Sequence, residues 1–418
     1  VRTDESIQNH GKPATELDIE RQALWAGFIC SILGLIVGLI LFAGNRPALA
    51  GGLSVGAVAA STGAVAAALA SAVAFRRLLL SREPWLARIP RWRQAVTLIG
   101  LVLVHAASSV MILMVAFHLM QQAFFGLRVD MLAGSLLVSG ATGVSAYLCL
   151  VATARTNAET LSVVLGIFMA SGVVISMLLA EDRGWWQSMF SSLGTYDAGI
   201  GSFWTFNTTL VVSGLVLMAF TEFMTRDLAK LARTYRCRPS LEKYRIAKYL
   251  RPRPGVVRWC LLAVAVGVIL IGIVPVNVAP EVHATFVRLA AAGMMLLLMG
   301  TTVLLPGYPV VFHLMSLTAL GALWLSFLLW QEWNYYNLTG FELAVVAILF
   351  TWISVFIRTT SALIHDKKQQ LRKEKRARRR AQREQLAGAQ DPAASNIDPH
   401  FNHGEIRRNG EDAGFQSR

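Results

Sequence analysis

The chain has 418 residues, of which 55% are hydrophobic and only 15% charged, with a mean hydropathy of +0.51. Those values exclude an ordinary soluble domain and define a polytopic membrane protein. The net charge of +14 is gathered in blocks between apolar runs, whereas a basic nucleic-acid binder would interleave it with aromatics over a folded surface.

The segment from Val1 to Glu20 is polar and mixed in charge, with no early apolar stretch of the kind a cleaved signal peptide needs. The first apolar run is therefore expected to act as an uncleaved anchor. A membrane helix needs roughly 20 mostly apolar residues, because every backbone amide must be paired internally. Ten runs meet that length: 23–42, 52–75, 95–120, 131–152, 161–180, 202–223, 256–276, 286–305, 310–330 and 341–363. The second is almost all Ala, Gly, Val and Ser, so it is expected in the bundle interior, where small residues let helices approach. The fold class is thus all-α, a transmembrane bundle of about ten crossings. Its expected divisions are a cytoplasmic segment 1–22, a four-helix region 23–152, a six-helix core 161–363 with a basic loop 224–254, and a basic tail 364–418.

Charge sets the expected orientation. Arg76, Arg77, Arg82, Arg88, Arg91 and Arg93 face a single acid, Glu83, in the loop after the second run. Ten Arg and Lys from Arg226 to Arg253 follow the sixth run, and DKKQQLRKEKRARRRAQR follows the tenth. Short basic segments beside membrane helices favour the cytoplasm. With ten crossings and both termini inside, all three blocks lie inside the plasma membrane. The loops around Pro47, Gly126, Gly184, Ala279 and Asn334 then face outward. Leu371–Ala387 is expected to continue as a charged helix, with disorder from Gly388. The tail reads either as a topology signal or as a contact for anionic lipid or a partner. Leu136–Gly140 and Leu210–Gly214 share a short word, LLVSG against LVVSG, which apolar helices repeat by chance.

The stretch Glu181–Phe220 is the most informative. Trp185 and Trp186 precede Ser191, Ser192 and Asp197, and Trp204 and Asn207 enter the next helix. Amphipathic rings favour the headgroup level. The expectation is a shaped outer loop, either simply anchored by its aromatics or binding a ligand. A second polar group, Asn277, Glu281, His283 and Arg288, follows the bend at Pro275 and Pro280. With Asp182, Arg183 and Asp197 it is expected in an outer-leaflet pocket. Three readings stay open there: hydrogen bonds that lock the loop, binding of a solute or headgroup, and acid–base chemistry.

Other polar groups read as structural. His105 is expected to be a packed, hydrogen-bonded imidazole beside Ser108 and Ser109, and His118 to lie near the outer end. Roughly 20 Å of helix separates them, which forbids a shared metal. Glu222 and Arg226 suit a surface pair at helical spacing. Glu342 is expected near the outer edge and Arg358 near the inner one, and His313 follows a tight turn at Pro306 and Pro309. Cys30, Cys149, Cys237 and Cys260 match no zinc or iron–sulfur spacing and are expected to be isolated thiols. There is no Walker loop and no HExxH, and the lone GxSxG, Gly52–Gly56, opens a membrane helix. No cofactor or metal is called for.

Three motifs carry a resemblance. The first is the WWxSxxSSLGT segment, Trp185–Thr195. The second is Phe206, Asn207, Leu210, Ser213 and Gly214, and the third Val274 and Pro275 followed by His283. Over about residues 161–363 the chain resembles the DUF998 family of bacterial integral membrane proteins, which is distantly similar to eukaryotic Frag-type proteins linked to lipid and GPI-anchor handling. The resemblance implies a six-helix core and no established catalytic set. Together these readings point to a protein handling a lipid or envelope precursor, as a transporter or as a subunit of an envelope assembly. Its ligand would be a membrane lipid with an anionic or glycosylated headgroup, and its partner a membrane protein or a second copy. The alternatives are an enzyme using His283 with Glu281 or Asp197, and a structural subunit docking through the second helix.

Overall fold

In the computed structural model, residues 14–236 and 252–389 are described. The chain divides into two compact units, Val1–Ile364 and His365–Arg418. Ten helices among the described residues are long and apolar enough to cross a membrane. They are α1 (Glu16–Leu41), α2 (Val55–Ala74), α3 (Arg91–Ala123), α4 (Met131–Ala154), α5 (Ala158–Leu179), α6 (Ile200–Arg236), α7 (Pro254–Ile273), α8 (Pro280–Met299), α9 (Val310–Gln331) and α10 (Leu338–Ala389). The only pairing of extended backbone among the described residues is an isolated bridge, Ala48 to Arg128. The protein is a polytopic membrane bundle, as the apolar runs predict.

The helix starts follow local chemistry. Thr15 and Asn157 form reciprocal capping boxes on α1 and α5, and the Ser54 side chain caps α2. Asp130 accepts from Leu132 N and Ala133 N at the start of α4, and the Ala133 amide holds its carboxyl below the ordinary aspartate range. Pro254 and Pro280 sit in the first turns of α7 and α8, where a missing amide costs nothing.

Lipid tails are as apolar as leucine, so close packing rather than water exclusion holds such helices together. Small residues supply it. Gly27, Gly34 and Gly38 lay α1 against Gly143, Thr142 and Ser135 of α4, and Ser139 Oγ donates to Ser31 O at 2.8 Å. A Cβ on Gly38 would meet Ser135 Cα at 2.7 Å. The Ala-rich α2 packs between α3 and α4, and α2 and α6 are the most buried of the ten. Gly100 of α3, Gly172 of α5 and Gly272 of α7 all meet α6, at Leu215 O, Thr209 and Asn207 O. His105 is buried where α2, α3 and α4 meet, its Nδ1 3.1 Å from Ser71 Oγ and 3.2 Å from Thr153 Oγ1. The packed imidazole is as expected, with different hydroxyl partners. Cys30, Cys149 and Cys260 are free thiols. Cys237 lies outside the described residues.

The last helices pack through large rings instead. Trp352 and Phe356 of α10 stack at 5.4 Å, and Phe312 of α9 lies 5.8 Å from Trp352. Trp352 Nε1 donates to Ser316 Oγ at 2.8 Å, and the hydroxyls of Tyr308 and Thr360 pair at 2.7 Å.

The two ends of the bundle differ in chemistry. At one end Glu16 pairs with Arg82 and Arg155, Glu20 with Arg155, Glu83 with Arg226, and Glu222 with both Arg93 and Arg258. The basic loop 76–93 and the end of α6 therefore share this arginine face. The opposite end carries the tryptophan loop. Exposed Trp25, Trp92 and Trp259 lie toward the first end, and Trp186, Trp204 and Trp333 toward the second. That is the double aromatic girdle of a bilayer-spanning bundle.

Two expectations are corrected here. Glu222 and Arg226 do not form a surface pair: Glu222 is buried between two other helices' arginines, and Arg226 turns to Glu83 and the Trp85 ring. The eighth crossing runs from Pro280 to Met299, not from Phe286 to Leu305, so Glu281 and His283 lie in its first turn. Of the expected basic loop 224–254, residues 224–236 continue α6 and Pro254 opens α7, while 237–251 and the tail beyond 389 lie outside the described residues; α10 runs through Gly388 to Ala389.

Candidate functional site

The tryptophan-face loop between α5 and α6 is three successive 3-10 turns, Trp185–Gln187, Phe190–Gly194 and Tyr196–Ala198. Short polar side chains fold it locally. Asp182 Oδ1 accepts from Gly184 N at 2.7 Å, Ser188 Oγ donates to Trp185 O at 3.0 Å, and Ser192 Oγ donates to Met189 O at 2.6 Å. Thr195 Oγ1 donates to Ser192 O at 2.7 Å, and Glu181 N to Ala198 O at 2.9 Å closes the loop's ends. Gly199 takes φ +93°, a conformation that costs a residue with Cβ, as the chain turns into α6.

Apolar side chains plug the loop into the bundle. Phe190 and Leu193 bury against Phe206 and Leu210, with the Phe190 and Phe206 rings edge-on at 5.2 Å. Polar side chains fix its height. Ser202 Oγ donates to Leu193 O and Asn207 Nδ2 to Gly194 O, both at 2.9 Å. From α10 the Glu342 carboxyl accepts from Phe190 N, and Asn337, just before that helix, donates through Nδ2 to Trp186 O. The loop is thus clamped from two helices.

A cavity of about 210 Å³ opens beneath it, lined by Asp182, Trp185, Ser188, Met189, Ser192, Thr195, Asp197, Ala198 and Val276. Asp182, Asp197 and Ser188 are exposed at its mouth, while Thr195 is buried. Two carboxyls, three hydroxyls and one indole face the space, and neither Arg nor Lys lines it. Such a lining accepts hydrogen bonds from hydroxyls or an ammonium and offers a phosphate no cation.

Of the residues singled out in the sequence, Asp182, Trp185, Ser192 and Asp197 line the cavity. Ser191 is half-buried in the same turn without lining it. Trp186 and Trp204 are exposed, and Asn207 is a buried loop lock. Asn277 is exposed, next to the lining residue Val276, and Glu281 and Arg288 are exposed on α8. His283 is buried, and its Nδ1 lies 2.7 Å from Val274 O. That bond closes the turn between α7 and α8. No hydrogen bond or ion pair among the described residues joins His283 to Glu281 or Asp197. The sequence reading missed Ser188, Met189, Thr195, Ala198 and Val276 in the wall and Asn337 and Glu342 in the clamp. The Trp-Trp-x-Ser pattern points to Ser188. Nothing in the sequence ties Glu342 to the Phe190 amide. Among the described residues no group of three His, Cys, Asp or Glu is placed to hold a metal.

Fold and site together define a polytopic membrane protein with a clamped loop and an acidic, hydroxyl-lined cavity at one end of its bundle. No protein-family model, curated protein or solved structure matches the chain.

Proposed function

We propose that this protein binds the headgroup of a membrane lipid or lipid-linked envelope precursor in the tryptophan-face cavity, as a transporter or as a subunit of an envelope assembly. The observation that carries the reading is the pairing of Asp182 and Asp197 with Ser188, Ser192 and Thr195 around one space, beside the half-buried Trp185. The chemistry selects a headgroup rich in hydroxyls or bearing an amine, such as a sugar or ethanolamine. An anionic group, the other ligand class expected from the sequence, finds no counter-charge in this wall. The arginine face lies in the cytoplasm and the cavity outside, because basic segments resist translocation; the membrane is the plasma membrane. The motif-level likeness to the DUF998 family carries none of this reading, since no family model matches the chain. The acid–base reading lacks its expected pairing, since among the described residues no hydrogen bond or ion pair joins His283 to Glu281 or Asp197, and its Nδ1 is held by Val274 O. Exposed Arg288 on the apolar α8 favours a contact with a second copy or another membrane protein, because an arginine at membrane depth seeks a partner.

Native mass spectrometry of the purified full chain with added phosphatidylethanolamine, a glycolipid and phosphatidylcholine tests this. The chain is expected to retain one of the first two over phosphatidylcholine. Asp182→Asn with Asp197→Asn is expected to weaken that binding about tenfold, the loss of charge-assisted hydrogen bonds. Equal retention of all three lipids, or an unchanged double variant, would overturn the reading.

A further inference from the structure

The arginine face carries a second arrangement, built from three helices. Glu222 of α6 is buried, with 7% of its side chain exposed, and both Arg93 of α3 and Arg258 of α7 pair with it. Arg93 donates through Nε at 2.8 Å and through a second nitrogen, and Arg258 donates through one nitrogen at 3.0 Å. The two arginine side chains retain 18% and 22% exposure. A guanidinium has five N–H donors, and Glu222 takes two from Arg93 and one from Arg258, so most of the set is not spent on the carboxylate. Two arginines against one carboxylate leave a surplus positive charge. Arg93 also lies in the first turn of α3, whose N-terminus has no capping side chain, so the dipole of that helix adds to the surplus.

A cleft of about 20 Å³, room for roughly one water-sized group, lies against the arginines. Its walls are Trp92, Val96, Thr97, Met218 and Leu262, mostly apolar, and Trp92 is an exposed ring of the girdle. The arrangement therefore offers a cationic fork beside a small, mostly apolar cleft and an exposed girdle ring. Stability alone would call for one arginine, because a second leaves uncompensated charge at the membrane edge.

We propose that Arg93 and Arg258 bind a phosphate group, that of an anionic phospholipid in the leaflet at the arginine face, with its acyl chains along Val96, Met218 and Leu262. Glu222 is the positioning residue. It holds both guanidiniums side by side and limits the site's net charge to one unit. This site is separate from the tryptophan-face cavity and takes the opposite ligand chemistry.

The test is an affinity order. Binding of phosphatidylglycerol to the purified full chain is measured against phosphatidylcholine, for wild type, Arg258→Gln, Glu222→Gln and the double variant. Arg258→Gln removes the surplus charge and should weaken binding about tenfold, the usual worth of a hydrogen bond to a charged group. Glu222→Gln keeps one acceptor oxygen, raises the net charge and should tighten binding. The double variant restores the wild-type charge and should fall between the two. If Arg258→Gln does not fold, Arg258→Lys, which keeps the charge against Glu222 and removes the second fork, carries the test and should also weaken binding. Glycerol phosphate as a competitor separates the sources. Failure to compete assigns the site to the lipid, and competition with the same variant order assigns it to a free phosphate. An unchanged Arg258→Gln, or a Glu222→Gln that binds more weakly, would overturn the proposal.

Discussion

Glu222→Ala is expected to destabilise the protein by about 3–5 kcal/mol, because it strands two charges that share one carboxylate. Arg93 and Arg258 both donate to Glu222, from helices α3 and α7 on either side of α6. Removing the acid leaves two half-buried guanidiniums facing each other with no counter-ion. The structure has to open toward the headgroups to hydrate them, and α6 is the most buried helix, so the loss reaches the centre of the bundle. The control is a balanced replacement. Arg93→Met and Arg258→Met with Glu222→Leu should recover most of the loss, since apolar groups of similar volume avoid the desolvation cost. Thermal unfolding of the purified variants in one detergent reads the difference. A Glu222→Ala variant as stable as wild type would show that the arginines are already satisfied by solvent.

Trp352→Ala is expected to cost about 3 kcal/mol, at the low end for a fully buried aromatic, because lipid replaces part of the transfer term. The side chain has no exposed surface. It stacks on Phe356 with 12° between the rings, touches Phe312, and donates its N–H to Ser316. Those rings join α9 to α10, so a cavity at Trp352 loosens the attachment of α10. That helix and the residue just before it also supply Glu342 and Asn337 to the loop clamp, so the loss should extend to the tryptophan-face cavity. Trp352→Phe keeps the stack, and Ser316 Oγ retains its own bond to Phe312 O at 3.0 Å, so this variant should lose far less. Trp324→Ala is the outer control, because that ring is 63% exposed on the lipid side. Equal losses at Trp352 and Trp324 in the same unfolding series would contradict the packing described.

The crossings were legible in the sequence because a bilayer imposes length and composition directly. Even α2, whose Ala and Gly are weakly apolar, declared itself through small residues that only an interior helix can use. The start of α8 misled, because Pro275 and Pro280 together resemble one long turn, while Pro280 in fact opens the helix. Glu222 and Arg226 misled for a related reason. Helical spacing makes an internal pair plausible, and nothing local announces that arginines from two other helices arrive at the same carboxylate. The loop's character was readable from Trp, Ser, Gly and Asp, and four of its residues do line one space. His283 and Asn207 were singled out for their polarity, yet both bond backbone carbonyls, an acceptor that every residue possesses and no sequence marks. The clamp from Glu342 to Phe190 escaped notice for the same reason.

Both binding proposals depend on which side of the membrane each face occupies. The direct measurement is labelling of intact cells with a membrane-impermeant maleimide, after Cys30, Cys149, Cys237 and Cys260 are replaced by Ala. Ser188→Cys, in the tryptophan loop, is predicted to react from outside, and Arg88→Cys, in the basic loop, only after permeabilisation. Reaction of Arg88→Cys in intact cells, with Ser188→Cys silent until they are opened, would contradict the account.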